Sequence, residues 1–420
     1  MAYHGEPPAA LRSIPDDLIP EVLLRLPAPA VHRSRAVCKL WRSLIDDDRF
    51  LGAHRRHRPA MPLFYLHRDD STAPAELNPP NLRVRLEAID LRPRATQTLI
   101  RFAVAQEHRH IVRSARGGRL QRRHAVRADQ IEEPSGFDVH GSCDGVLLVS
   151  HGWTLFAYNP AARRWAQLPD NGSPIVGFYA HRPTGTFRVL LSHGRCREEH
   201  WVLTICRQMT QRRIPGTDEF LSDQNRLRPA CESPPALVSG CLHWLPQSFQ
   251  SNRDLLTFDT VSETFRWMRP PPAVEADGHV QALLELDGML AMTVTRAGDL
   301  AQLWVMGDYG EQAWFCKLQV SLPVDRFGGA VHLGGVAIVS QEGDVLIQCE
   351  NGLLQCDSVG RVHKHHQLEH HRAVAVPHMF KENIVPHHCL DDQQPREGWE
   401  GRQIPPFFRD MRDGCYYPTP

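Results

Sequence analysis

Two periods divide this chain. Over residues 12–57 apolar positions recur at helical spacing, and beyond Leu63 they gather in short runs bounded by turn residues. Leu18, Ile19, Val22, Leu23 and Leu26 fall on one side of an α-helix. Asp16 or Asp17 is placed to supply its N-cap oxygen, and Pro27 stops it, because proline lacks an N–H and clashes with the preceding turn. A second set, Val37, Trp41, Leu44 and Ile45, repeats the spacing. Arg49 to His57 reads as one further helix, with Asp46, Asp47 and Asp48 suited to its start. Roughly 45 residues of short helices make too small a core to bury this much apolar surface. The segment is therefore a docking module whose surplus apolar surface needs a partner.

After Pro59 and Pro62 the runs are rich in Val, Leu, Phe, Tyr and Trp, as strands are. Several copy one unit. Ser142–Val149 leads to Leu155–Pro160 and then Arg164–Pro169. Val238–Leu245 leads to Leu255–Thr260 and Phe265–Pro270, and Leu286–Met292 leads to Gln302–Met306 and Trp314–Leu318. A fainter copy runs from Glu342 to Asp357, and the strands between Val176 and Ile214 occupy one uncopied unit. Each unit reads as a Gly turn, a strand, a second strand ending in Asn or Asp, a tight turn, and a third strand carrying an aromatic. A period of roughly 45 to 50 residues belongs to four-stranded propeller blades rather than helical solenoids. Each small sheet has two apolar faces and is stable only between neighbours, so the recurring Trp is expected to fill the space between blades.

Residues Ile14-Pro15-Asp16-Asp17-Leu18-Ile19, Leu24-Arg25-Leu26-Pro27 and Val37-Cys38-Lys39-Leu40-Trp41-Arg42-Ser43-Leu44-Ile45 together resemble the F-box, the helical module by which ubiquitin-ligase substrate receptors attach to a Skp-type adaptor. The family usually opens on Leu-Pro and starts its middle helix with Ser-Leu. Here Ile14-Pro15 and Pro29-Ala30-Val31 stand in those places and keep the chemistry apolar. The resemblance implies adaptor binding through Ile14, Pro15, Leu18, Ile19, Val22, Leu23, Leu26, Pro27, Val37, Cys38, Trp41, Leu44 and Ile45. Periodicity leaves open which of these face the adaptor and which pack internally. Gly145 to Pro169, with Asn159-Pro160 and Trp165, resembles the F-box-associated domain of plant proteins, and Glu382-Asn383-Ile384-Val385 resembles that family's closing segment. The expected fold is α+β and multidomain: an all-α F-box over 12–57, an all-β propeller of about five to six kelch-like blades over 62–390, and a loosely held tail over 391–420.

Composition changes this picture little. The chain has 420 residues, 42% of them apolar, enough for one large or two medium domains. Its formal net charge is zero, so no global field points to nucleic acid or membrane as a partner. Lysine is confined to positions 39, 317, 364 and 381, which a GC-rich coding bias explains better than a ligase subunit avoiding its own modification. Eleven cysteines without a C-x-x-C pair suit free thiols in a reducing compartment. With no N-terminal apolar h-region, the expected location is cytoplasmic or nuclear. Asn171-Gly172-Ser173 fits the glycosylation sequon but reads better as an Asn-Gly turn.

Candidate chemistry is thin. His366-Gln367-Leu368-Glu369-His370 fits a zinc pattern that needs both imidazoles on one helical face, yet no capped helix surrounds it. Cys349, Cys356, His387, His388 and Cys389 lack zinc-finger spacing, and the Arg-rich stretch from Arg113 to Arg127 reads as solvated loops. The expectation is no cofactor, no metal and no catalytic residue. The chain would be the substrate-recognition subunit of a cullin–RING ubiquitin ligase, presenting propeller loops to an unknown target protein. The alternatives are a propeller scaffold that binds the adaptor without ubiquitin transfer, and a propeller enzyme with a metal in its channel.

Overall fold

The computed structural model describes residues 15, 17–68, 82–90, 95–104, 137–151, 154–162, 164–169, 173–193, 199–215, 235–245, 254–275, 279–286, 288–296, 300–321, 336–338, 345–349, 352–357, 361–367 and 371–390. Ile14, the Arg113–Arg127 stretch, the Asn171-Gly172 turn, residues 368–370 of the His-rich motif and the tail from 391 lie outside them. His366 itself lies in a strand paired with Leu353, not in a helix.

Four short helices come first: α1 (Ile19–Arg25), α2 (Ala28–Ser34), α3 (Lys39–Ile45) and α4 (Asp48–His57). Asp17 does not cap α1. The helix opens behind Leu18 with no side-chain oxygen, because Pro20 in its first turn already has a helical φ and no N–H to satisfy. Cys38 caps α3, its Sγ accepting from the Trp41 N–H at 3.5 Å, and Val37 stands before the helix rather than in it. Asp47 caps α4, accepting from the N–H groups of Arg49 at 2.7 Å and Phe50 at 3.3 Å.

Among the described residues, twenty-four strands then form six antiparallel sheets of four. The first sheet begins with β1 (Ala60–Arg68), β2 (Leu82–Asp90) and β3 (Ala95–Val104). The second is β4 (Phe137–Cys143), β5 (Val146–His151), β6 (Thr154–Asn159) and β7 (Arg164–Leu168). The third is β8 (Ile175–His181), β9 (Thr186–His193), β10 (Glu199–Ile205) and β11 (Thr210–Arg213). The fourth is β12 (Ala236–Val238), β13 (Cys241–Trp244), β14 (Leu255–Asp259) and β15 (Thr264–Met268). The fifth is β16 (His279–Leu286), β17 (Met289–Arg296), β18 (Leu300–Asp308) and β19 (Ala313–Ser321). The sixth is β20 (Val336–Ile338), β21 (Val345–Cys349), β22 (Gly352–Cys356) and β23 (Val362–Gln367). The chain then returns as β24 (His371–Lys381), which pairs antiparallel with β1 and completes the first sheet from the far end of the sequence. The architecture is a β-propeller.

The repeated sequence unit has a physical basis in its turns. Asp144 and Gly145 (φ +50° and +78°), and Ser239 and Gly240 (φ +51° and +77°), are two-residue turns with both centres left-handed, the type that matches strand twist. At the other turn of each unit the closing Asn or Asp accepts from backbone N–H groups. Asn159 Oδ1 accepts from Ala162 at 3.0 Å, Asp259 from Val261 at 2.8 Å and Ser262 at 2.9 Å, and Asp308 from Gly310 at 2.8 Å and Glu311 at 3.0 Å.

Alternate connections of an antiparallel sheet lie at opposite ends. These short turns share one end of each sheet. Every connection longer than half a dozen residues, at 69–81, 105–136, 214–235, 245–254, 269–278 and 322–335, joins strands at the other end.

The core is a series of seams between sheets. Leu63, Leu86, Leu147, Phe156 and Phe380 fill the first, with Trp165 packed on it. Phe178, Val189, Leu148 and Leu203 fill the second. Trp244 is fully buried in the third, between the third and fourth sheets, with its Nε1–H donated to the Val176 carbonyl at 2.9 Å. Polar groups tie the same seams. Glu263 accepts from Tyr179 Oη at 2.9 Å and pairs with Arg188 and Arg212. In the next seam His243 Nδ1–H donates to the Ala236 carbonyl at 3.1 Å, so its Nε2 accepts from Tyr309 Oη at 2.7 Å, and Arg266 donates to that oxygen at 3.2 Å.

Trp244→Ala is expected to cost about 3–5 kcal/mol of propeller stability in denaturant titration, because it empties a seam and leaves the Val176 carbonyl unpaired. Burial holds the imidazoles of His243, His140 and His378 down to about 4. The unfolded chain therefore binds protons first, and the stability these neutral rings contribute above pH ~6.5 is lost as pH falls towards 4. The melting temperature should drop across that window and stay flat from pH 7 to 8.

Candidate docking surface

The structure divides the candidate residues. Ile19 and Leu23, four apart on α1, are buried with Ala28, Val31, Ile45, Phe50 and Leu51. Leu26, Trp41 and Leu44 pack half-buried against that cluster. Leu18 at 46% and Val22 at 38% exposure, also four apart, stand on a different face of α1 and remain open. Val37 at 62% and Leu40 at 46% do the same around the start of α3, and Pro15, Pro27 and Cys38 are exposed as well. Ile19, Leu23 and Ile45 are therefore core residues that internal packing covers. Leu40 is the residue the apolar stripe missed, since it falls off the spacing that Trp41, Leu44 and Ile45 share. An apolar side chain off the inward stripe of a short helix was the available signal.

Charge surrounds the apolar positions without burying any. Arg25 pairs with Glu21 at 3.1 Å along the outer face of α1, and Arg35 pairs with Asp46 at 2.8 Å. Lys39, Arg42, Ser43, Asp46 and Asp47 line an open depression on α3 and the turn after it. Among the described residues no group of three or more His, Cys, Asp or Glu is placed to hold a metal.

The helices do not hang free. Ala161 from the β6–β7 turn and Ile384 from just beyond β24 are buried members of their core, with Val385 packed against it. Glu382 is fully buried. Its Oε2 lies 2.8 Å from Arg58, two residues before β1, and accepts the Ala28 N–H in the first turn of α2 at 3.2 Å. Asn383 Nδ2 donates to the Asp144 carbonyl at 2.9 Å, Asn159 Nδ2 donates to the Asn383 carbonyl at 3.0 Å, and the Asp144 carboxylate pairs with Arg55 of α4. Gly145 permits this approach: a Cβ there would collide with Asn383. His54 Nε2–H, buried, donates to the Leu26 carbonyl at 2.9 Å and so caps the end of α1. Burial lowers its pKa below the usual imidazole value, and the nearby Arg58 and His57 charges act in the same direction.

The sequence model of the F-box domain matches residues 11–51, the segment that carries these open apolar side chains. That of the F-box associated beta propeller domain matches residues 99–376. The chain belongs to the F-box proteins with an F-box-associated propeller. Its relatives include Arabidopsis thaliana proteins of similar build. F-box protein At3g07870 is 24% identical over 340 residues, covering 72% of each chain. F-box/kelch-repeat protein At3g23880 is 22% identical over 361 residues, 81% of this chain and 89% of that one. F-box protein At3g22700 is 30% identical over 367 residues, 82% of this chain and 94% of that one. In this F-box protein, then, the F-box and the propeller share a core rather than a linker.

Leu23→Ala should cost about 2–5 kcal/mol in the unfolding of the helical end, while Leu18→Ala and Leu40→Ala stay within about 0.5 kcal/mol. Chemical denaturation followed by far-ultraviolet circular dichroism separates the two groups.

Proposed function

We propose that this protein is the substrate-recognition subunit of a Skp–cullin–F-box ubiquitin ligase, working in the cytoplasm or nucleus. One observation carries the reading: Leu18, Val22, Val37 and Leu40 are exposed on a segment that matches the F-box domain. Scattered apolar residues on a surface are ordinary, but four at α1 and around the start of α3, in a segment of this family, form a docking face for a Skp-type adaptor. Burying each would contribute about 1.5–3 kcal/mol, and the flanking charges would form its polar rim.

The propeller holds the target. The helices sit at the short-turn end of the second sheet, against Asp144 and Ala161, whereas the longer connections belong to the opposite end. A target protein on that far end and an adaptor on the helices would be held in one complex. The subunit itself makes and breaks no bond; it raises the effective concentration of target lysines near the charged ubiquitin-conjugating enzyme.

Leu18→Asp with Val22→Asp puts two charges on the open face of α1 and leaves the core untouched. Adaptor affinity should fall at least a hundredfold, about 2.7 kcal/mol, with an unchanged melting temperature. Retained binding would show that this face is not the contact. Cullin in the same pull-down separates a ligase subunit from an adaptor-bound scaffold.

A further inference from the structure

The geometry points to a dependence between the two ends of the chain: the adaptor-docking F-box is completed only when β24 closes the propeller. The inference rests on the adaptor reading above and adds a condition to it.

The pairing of β24 with β1 runs from Ala60 opposite Lys381 to Arg68 opposite His371. It therefore brings the residues just before β1 and just after β24 to one place. Those residues are Arg58 and Glu382, and they meet at 2.8 Å with Glu382 fully buried. The same carboxylate holds the α2 N–H of Ala28, 354 residues away in sequence. Two positions on, Ile384 enters the cluster built on Ile19, Leu23, Val31 and Ile45.

Helices α1 to α3 have seven residues each and α4 has ten. Lengths below ~12–15 residues are marginal without tertiary packing. Part of that packing comes from residues 382–385, so an earlier part of the chain waits for a much later one. While the ring is open, Arg58 lacks its buried carboxylate, α2 lacks an acceptor in its first turn, and the apolar cluster lacks Ile384. A receptor whose target-holding domain is unfinished is thereby kept from docking on the adaptor. The sharing of one carboxylate between the ring closure and the F-box is the device; Asn383, bridging to Asp144 and Asn159, seats it on the second sheet.

The test uses the full chain carrying Glu382→Ala with Ile384→Ser, compared with the unmodified chain by hydrogen exchange and by affinity for the purified adaptor. The expected result is that amides of α1 to α3 exchange at least ~10-fold faster, that β5, β9 and β13 keep their protection, and that adaptor affinity falls by a similar factor. Unchanged exchange in α1 to α3 together with unchanged affinity would overturn the inference, because the F-box would then be self-sufficient. If the double change also melts the sheets, Glu382→Gln is read in the same way, since it removes only the charge opposite Arg58. If the unmodified chain fails to bind the adaptor, the adaptor reading falls, while exchange in α1 to α3 still decides the structural dependence by itself.

Discussion

The carboxylate of Glu382 is the constraint on which the two-part architecture depends. A buried charge is tolerated only when it is paired and its remaining lone pairs are met. Here the partners come from different parts of the chain: Arg58 at the entrance to β1 and the backbone of Ala28 in α2. Satisfying one side chain therefore fixes the ring closure, the position of the helical end and the start of α2 together. Asn383 extends this to the second sheet through the Asp144 carbonyl, and the left-handed Asp144-Gly145 turn presents that carbonyl at close range. The shortage of core in a module of roughly 45 residues is thus met partly from within the same chain, through Ala161, Ile384 and Val385.

The propeller solves a related problem at its seams. Among the described residues, buried apolar clusters join the first sheet to the second, the second to the third, the third to the fourth and the fourth to the fifth, so each of these seams is filled by two sheets at once. Trp244, Phe156 and Phe178 occupy such seams, and Glu263 and His243 tie them with groups that leave no charge unpaired. Short turns are held by Asn159, Asp259 and Asp308, which satisfy the backbone where the chain reverses.

Much of this was legible because it is local. The helical stripes, the acidic start of α4, the Gly turns and the closing Asn159, Asp259 and Asp308 are short-range patterns, and the structure bears them out. The first sheet has no local signature, since its innermost strand, β24, lies about three hundred residues from β1. Asp17 misled as a cap because Pro20 made an N-cap side chain unnecessary.

By itself the sequence determined the kinds of element and the family: the helical period, the short apolar runs bounded by turn residues, the spacing of the blades, and the F-box wording are all written within a few dozen residues. Which apolar side chains remained open was decided only by tertiary structure. Leu18 and Leu23 belong to the same stripe, yet one is half exposed and the other fully buried. Leu23 joins a cluster drawn from other helices and from Ala161 and Ile384, and Leu18 does not. Asn159 shows the same division. Its place at the end of a strand is local, while its second bond, to Asn383, exists only because the two ends of the chain meet beneath the second sheet. Burial is a property of neighbours, and neighbours this far apart in sequence leave no periodicity to read.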